Sequence, residues 1–242
     1  MRAPRVLLAV DGIDGSGKSV LARRLADAAA AAGICTVTLA VDDFRRPVDW
    51  GAGGETDIYY DDYYDLSLLD RCLRAFIDGG VSVEIPVFDA ASHRLEGHRE
   101  ITFGQANLGI VEGVFARRIG AVADTAAVVY LRTSFAEAQR RVVARDTARG
   151  RALTDVNHRI AARYFPAQER YLQEFRPEAR ADVVIDNEDW RAPQIVRFDG
   201  DAIDSKLRLL AATSLPSSPG GSPSSVSSVL RRAFETLADQ AR

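Results

Sequence analysis

Five short apolar runs, at residues 5–10, 36–41, 108–111, 127–131 and 182–185, recur along this chain. Stretches of helical character, at 19–32, 66–78, 135–148 and 154–175, lie between them. The runs are near-continuously apolar instead of alternating, as strands read when both faces are covered. Strand and helix in turn predict a parallel sheet joined by right-handed crossovers and flanked by helices, a three-layer α/β fold. Residues 80–105 break the rhythm. They alternate in part, carry His93 and His98, and predict short strands and loops beside the sheet.

The first run leads straight into G-I-D-G-S-G-K-S at 12–19. G-x-x-x-x-G-K-S after a strand and before a helix is the P-loop pattern. Gly12, Gly15 and Gly17 permit the positive φ angles that turn backbone N–H groups inward onto phosphate oxygens. Asp14, Ser16 and Val20 complete the loop and its exit, and the helix that follows adds the positive end of its dipole. Of 31 lysines and arginines in the chain, only Lys18 and Lys206 are lysines. Arginine serves wherever a generic cation would do, yet position 18 keeps a compact, flexible ammonium able to reach β- and γ-phosphates. Ser19 offers a hydroxyl to Mg²⁺. A guanine-reading N-K-x-D segment is excluded because Lys206 follows Ser205. The expected donor is therefore ATP.

Carboxylates close two other runs. Asp42 and Asp43 follow the second, where a carboxylate beside the P-loop could take the proton of a substrate hydroxyl. Glu112 follows the third and could hold Mg²⁺ through water. A polar turn at a strand end is the plainer account of each. Residues 132–151 hold six arginines, with Arg141, Arg145 and Arg149 spaced to share one helix face. Closed over phosphates, such a face would exclude water and stabilise transferring charge. The plainer account here is a solvated helix with Arg145 and Asp146 exposed.

The formal net charge of −3 argues against a general nucleic-acid binder. Cys35 and Cys72 belong to no C-x-x-C pair, so neither a disulfide framework nor a zinc site is expected. No apolar run approaches the roughly 18 residues of a membrane span, which predicts a soluble, cytoplasmic protein. The Ser/Pro/Gly-rich stretch 213–228 reads as a linker, and residues 229–242 carry an apolar stripe at helical spacing. That stripe leaves self-association of the chain open.

Taken in order, G-I-D-G-S-G-K-S, the D-D-F at 42–44, P-V-F-D at 86–89 with His93-Arg94, I-V-E-G-V-F at 110–115 and R-D-T-A-R-G-R at 145–151 resemble the uridine kinase / phosphoribulokinase family of P-loop kinases. The resemblance covers residues 5 to about 195. It implies ATP and Mg²⁺ as cofactors and a small-molecule acceptor, with the 5′-hydroxyl of uridine or cytidine first. It implies Asp42 as catalytic base; Lys18, Ser19 and Glu112 on triphosphate and metal; Arg145 and Arg149 in a lid; and Asp43, Phe88, Asp89, His93 and Arg94 on the acceptor side. Several positions depart from the family pattern: Phe88 stands where its nucleoside kinases carry Tyr, Arg45 follows D-D-F, and the lid arginines are spaced one residue wider. A sugar phosphate, a pantothenate-like compound or a pyridine riboside is thus an alternative acceptor, and a non-catalytic ATP-binding regulator an alternative class. The tyrosine-rich Y-Y-D-D-Y-Y-D at 59–65 reads equally as an acceptor-site wall and as a surface loop. The expected division is a P-loop kinase domain at 1–200, a helical extension at 201–212, the linker and the terminal amphipathic helix.

Overall fold

The structure, a computed structural model, describes residues 5–207. The expected linker at 213–228, the amphipathic helix at 229–242 and residues 208–212 of the expected extension lie outside the described residues. The five apolar runs form β1 (Val6–Gly12), β2 (Thr36–Ala40), β5 (Leu108–Glu112), β6 (Ala127–Arg132) and β7 (Val183–Asp186). All four pairings among them are parallel. A sixth strand, β8 (Gln194–Phe198), adds antiparallel to β7 and completes the sheet order β2-β5-β1-β6-β7-β8. It was not expected from the sequence. As an edge strand with mostly exposed residues, it lacks the apolar run that marks the buried strands. The irregular stretch forms a separate hairpin of β3 (Ser82–Asp89) and β4 (Arg94–Thr102).

Side chains of β1 show why its run is continuous. Leu7 and Ala9 enter one core with Leu39, Phe76 and Phe115, while Val6, Leu8 and Val10 enter a second core on the opposite face with Leu21 and Leu25. Successive residues of a strand point to opposite faces, so a strand covered on both sides needs apolar residues at every position. Helices α1 (Lys18–Ala31), α3 (Leu66–Ile77) and α5 (Phe135–Ala148) occupy the expected stretches, with the short α2 (Glu55–Asp57) and α4 (Gly120–Thr125) between them. Residues 154–175 do not form one regular helix. They divide into α6 (Leu153–Arg159), a π-helical turn Ile160–Tyr164, and α7 (Phe165–Phe175). Pro166 lies in the first turn of α7, where its missing N–H costs least. A short helix Gly200–Lys206, the last among the described residues, packs Ile203 and leads Leu207 into the second core. It is tied down by Lys206, whose Nζ sits 2.7 Å from both oxygens of buried Asp182.

A fully buried carboxylate interrupts the apolar run of β1. Asp11, fully buried in β1, accepts from the Gly12 N–H at 2.8 Å and the Tyr171 hydroxyl at 2.5 Å. Burial outweighs these bonds and the nearby positive charges, and pushes its carboxyl up to about 6. A folded-state pKa above the ordinary 3.8 means that the native state binds the proton more tightly. The stabilisation is therefore full below about pH 4 and is lost as pH rises to about 6, a span of about 3 kcal/mol. Denaturant unfolding of Asp11→Asn is expected to lack this fall between about pH 4 and 6; a slope equal to wild type would show that Asp11 does not titrate there.

Candidate active site

Parallel pairing delivers the site to one edge of the sheet. In register, Val10 and Ala40 both lie opposite Glu112, and Gly12 lies opposite Leu131. The P-loop after β1, Asp42 after β2 and Glu112 at the end of β5 therefore emerge side by side at the carboxyl ends, where open α/β sheets bind ligands. Gly113 makes the exit from β5 compact: at φ 154° a Cβ there would lie 2.4 Å from Val41.

The loop is held from outside. Asn187 Nδ2 donates to the Ser16 carbonyl at 2.7 Å, and Arg141 Nη1 to the Gly15 carbonyl at 3.3 Å. Gln168 exchanges two bonds with Asp14: it accepts from the backbone N–H at 3.1 Å and donates to Oδ2 at 2.7 Å. Gly17, at φ 99°, could not carry a side chain, because a Cβ would lie 2.9 Å from the Asn187 amide. Lys18, 8% exposed, donates to the Ile13 carbonyl at 2.9 Å inside the loop.

A cavity of about 410 Å³ opens over the loop. Its lining includes Lys18, Ser19, Asp42, Glu112, Arg145 and Arg149. Asp14, Val20 and Arg141 also border it. Ser19 Oγ donates to Glu112 Oε1 at 2.9 Å. Burial drives Glu112 above the usual carboxylate range, against the opposing effects of the Lys18 charge and the Ser19 hydroxyl. A hydroxyl and an under-compensated carboxylate fit a divalent cation shared with nucleotide phosphates. Among the described residues no cluster of three His, Cys, Asp or Glu side chains would hold a metal by itself. Ser16 Oγ, buried in the loop without a hydrogen-bond partner, also fits a site completed by a ligand.

The arginine helix faces this cavity, but its members are used unequally. Arg141 is saturated, with Glu137 Oε1 at 2.6 Å and the carbonyls of Asn187 and Glu188 at 2.8 and 2.9 Å. It clamps the helix to the loop. Arg145 Nε and Arg151 Nη1 both meet Asp146, at 2.7 and 2.8 Å. Asp146 is buried, not exposed as a solvated face would have it. Burial alone would raise its carboxyl, yet Arg145 and Arg151 hold it below the usual range. It thus orients two half-exposed guanidiniums, of which Arg145 lines the cavity.

The residues expected on the acceptor side are dispersed. Phe88 and His93 line a smaller cavity of about 150 Å³ with Trp50, Tyr63 and three arginines, Arg46, Arg159 and Arg163. Arg45 lies between the two cavities, its guanidinium 5.4 Å over the Phe88 ring and its Nε donating to the Asp42 carbonyl. Asp43 is paired with Arg99 of the hairpin at 2.6 Å. Asp89 accepts from the Ala91 and Ser92 N–H groups and shapes the β3–β4 turn, with exposed Arg94 opposite it in register. The tyrosine-rich segment is neither a surface loop nor wholly a wall. Tyr59, Tyr60 and Tyr64 are buried beneath the site, and Tyr63 alone of the four lines the smaller cavity. The sequence reading gave no site role to Trp50, Arg46, Arg159, Arg163, Gln168 or Asn187, whose partners in the cavity or the loop lie far away in the chain.

A mostly parallel sheet whose first loop has the P-loop form, with a carboxylate, a hydroxyl and arginines around one cavity, matches a P-loop kinase fold. The match is specific at family level. Residues 7–189 fit the model of the Phosphoribulokinase / Uridine kinase family, and the chain belongs to that family. Two solved structures share the fold. A possible uridine kinase from Bacillus stearothermophilus is 24% identical, with 76% of this chain and 90% of that one covered and a TM-score of 0.57. A protein provisionally assigned as a fructose transport system kinase, from Silicibacter sp. TM1040, is also 24% identical, covering 70% and 85%, with a TM-score of 0.56. No curated protein matches the chain at a significant level. The chain is thus a kinase acting on a small-molecule hydroxyl, of a family that uses ATP and Mg²⁺. Among the described residues no helix is long and apolar enough to cross a membrane.

Two substitutions probe the site as built. Lys18→Arg is expected to weaken ATP binding about tenfold or more by calorimetric titration, because the wider guanidinium does not fit where Nζ meets the Ile13 carbonyl. Retained affinity would refute that steric account. Asp146→Ala is expected to lower the melting temperature by a few degrees, since two charge-assisted bonds of about 1.5–3 kcal/mol each before compensation are lost. An unchanged melting curve would show that Asp146 anchors nothing.

Proposed function

We propose that the chain transfers the γ-phosphoryl group of ATP to a hydroxyl of a small acceptor, with the 5′-hydroxyl of a pyrimidine nucleoside as the leading candidate. One observation carries the reading: the Asp42 carboxylate faces the same cavity as Lys18, Ser19 and Glu112. A base beside the phosphate cradle serves phosphoryl transfer and has no use in a passive nucleotide sensor.

In this reading the loop amides and Lys18 bind the triphosphate, and Ser19 and Glu112 hold Mg²⁺. When bound, the ion neutralises charge on the phosphoryl oxygens. Arg145 and Arg149 close over the transferring group and exclude water. Asp42 accepts the acceptor's hydroxyl proton. The adenine has a place as well. A second cavity of about 320 Å³ adjoins Gly15 and Gly17 and is lined by Leu131, Ile185, Trp190 and Pro193, apolar surfaces suited to a planar base.

Aromatic Phe88, Trp50 and Tyr63 in the smaller cavity support a ring-bearing acceptor. A second reading, an anionic acceptor such as a sugar phosphate, is supported by Arg46, Arg159 and Arg163 in that cavity. Two of these arginines already have carboxylate partners, Arg159 with Asp155 and Arg163 with Glu55, which weakens the case for an anion.

ADP release from purified protein across nucleosides, sugar phosphates and pantothenate-like alcohols separates these readings. On the best acceptor, Asp42→Asn is expected to lower kcat by about 10²–10⁴ while ATP affinity changes little. Full turnover by Asp42→Asn would remove Asp42 as the base.

A further inference from the structure

Behind the cavity a chain of oxygens joins Asp42 to the P-loop. Tyr64 Oη donates to Asp42 Oδ1 at 3.1 Å. The hydroxyls of Tyr64 and Tyr59 lie 3.2 Å apart. Tyr59 Oη donates to Asp14 Oδ2 at 3.2 Å, an oxygen that also accepts from Gln168 Nε2 at 2.7 Å. Both tyrosines are buried, at 2% and 7% exposure, so water does not satisfy them.

The proton count is uneven. With both carboxylates ionised, the three oxygen–oxygen contacts share only two hydroxyl protons. One contact is then left without a hydrogen. A single extra proton completes the chain. Entering at Asp42, it makes Asp42 donate to Tyr64, Tyr64 to Tyr59, and Tyr59 to Asp14. If each of these three protons crosses its own contact, every O–H that breaks is matched by one that forms. The surplus proton then rests on Asp14 Oδ2, and Asp42 is again a carboxylate.

We infer that Tyr64 and Tyr59 form a proton relay that carries the proton taken from the acceptor hydroxyl away from Asp42 to Asp14 of the P-loop. The inference rests on the reading of Asp42 as base. Tyr59 and Tyr64 touch no reacting atom and act as positioning residues through Asp42. Charged neighbours bracket both ends. Arg45, Arg145 and Glu112 interact with Asp42 or its vicinity, and Arg145 and Tyr164 act on Asp14. Burial, the largest influence, drives both relay hydroxyls well above the ordinary tyrosine range, which keeps them neutral carriers and not sinks for charge. The relay gives the Asp14 side chain a use in a loop position whose backbone alone would suffice to bind phosphate.

Single-turnover phosphoryl transfer in H₂O/D₂O mixtures tests the relay, with full-length protein, ATP, Mg²⁺ and the best acceptor of the screen. Wild type is expected to give a bowed dependence of rate on deuterium fraction, the mark of several protons in flight. Tyr59→Phe keeps the ring and its packing but breaks the chain. It is expected to slow the step about tenfold and to straighten the dependence to that of one proton, with ATP affinity and melting temperature close to wild type. Tyr64→Phe is expected to do the same and serves if Tyr59→Phe does not fold. A merely structural tyrosine would change the melting temperature or KM and leave the bowed profile intact; that result overturns the relay. A straight profile in wild type overturns it too. Loss of turnover in Asp42→Asn together with wild-type behaviour of both phenylalanine variants would sink the relay alone, whereas a fully active Asp42→Asn would sink the base it depends on.

Discussion

Asn187 on the Ser16 carbonyl, Arg141 on the Gly15 carbonyl and Gln168 on both polar groups of Asp14 form the scaffold on which the site depends. A loop that binds phosphate through its own N–H groups must turn its carbonyls outward. Those carbonyls need donors, and the glycine-rich loop's own side chains supply few of them, as Lys18 does for Ile13. Donors to the Ser16 and Gly15 carbonyls come from Asn187, just after β7, and from α5, while α7 supplies Gln168 to the Asp14 carboxylate, all far away in the chain. The same contacts that satisfy the loop also fix where α5 and α7 sit.

This dependence runs in both directions. Arg141 occupies the helix face expected to close on phosphate, yet its donors are committed to three carbonyls and Glu137. It therefore fixes the base of the helix, while Arg145 and Arg149, one and two turns on, reach the cavity mouth. Buried Asp146 then sets the direction of Arg145 from below. A helix that reads as a uniform basic face is divided into an anchored end and a working end.

The acceptor side shows a different economy of parts. Hairpin β3–β4 packs beside the sheet and not within it; Phe88 and His93 line the smaller cavity, and Arg99 pairs with Asp43 after β2. The rest of that cavity comes from the segment after β2 and from α6 and its π-helical turn. A π turn inserts a residue into the helical ladder and rotates the side chains beyond it. Here it carries Arg163, whose guanidinium stacks 3.6 Å over Trp50. The proposed acceptor cavity is thus assembled from three separate segments, and the P-loop cradle from one contiguous loop.

That contrast marks what could be read in the sequence. The strands of the parallel sheet, the P-loop, Asp42 and Glu112 were legible because each is a local signal. A run buried on both faces is apolar throughout, a phosphate loop needs glycines and a lysine at fixed spacing, and a strand end points its next carboxylate at the ligand edge. Edge strand β8 and the break after Arg159 were not legible, because an exposed strand has no apolar run and a π turn keeps helical composition. The tyrosines at 59–64 were visible as a cluster, but their burial was not. Only the folded chain places Tyr59 against Asp14 and Tyr64 against Asp42, across 45 and 22 residues of sequence. Local geometry is written in local spacing. Partners of buried polar groups are chosen by whatever element the fold brings alongside, and that is decided by the tertiary structure alone.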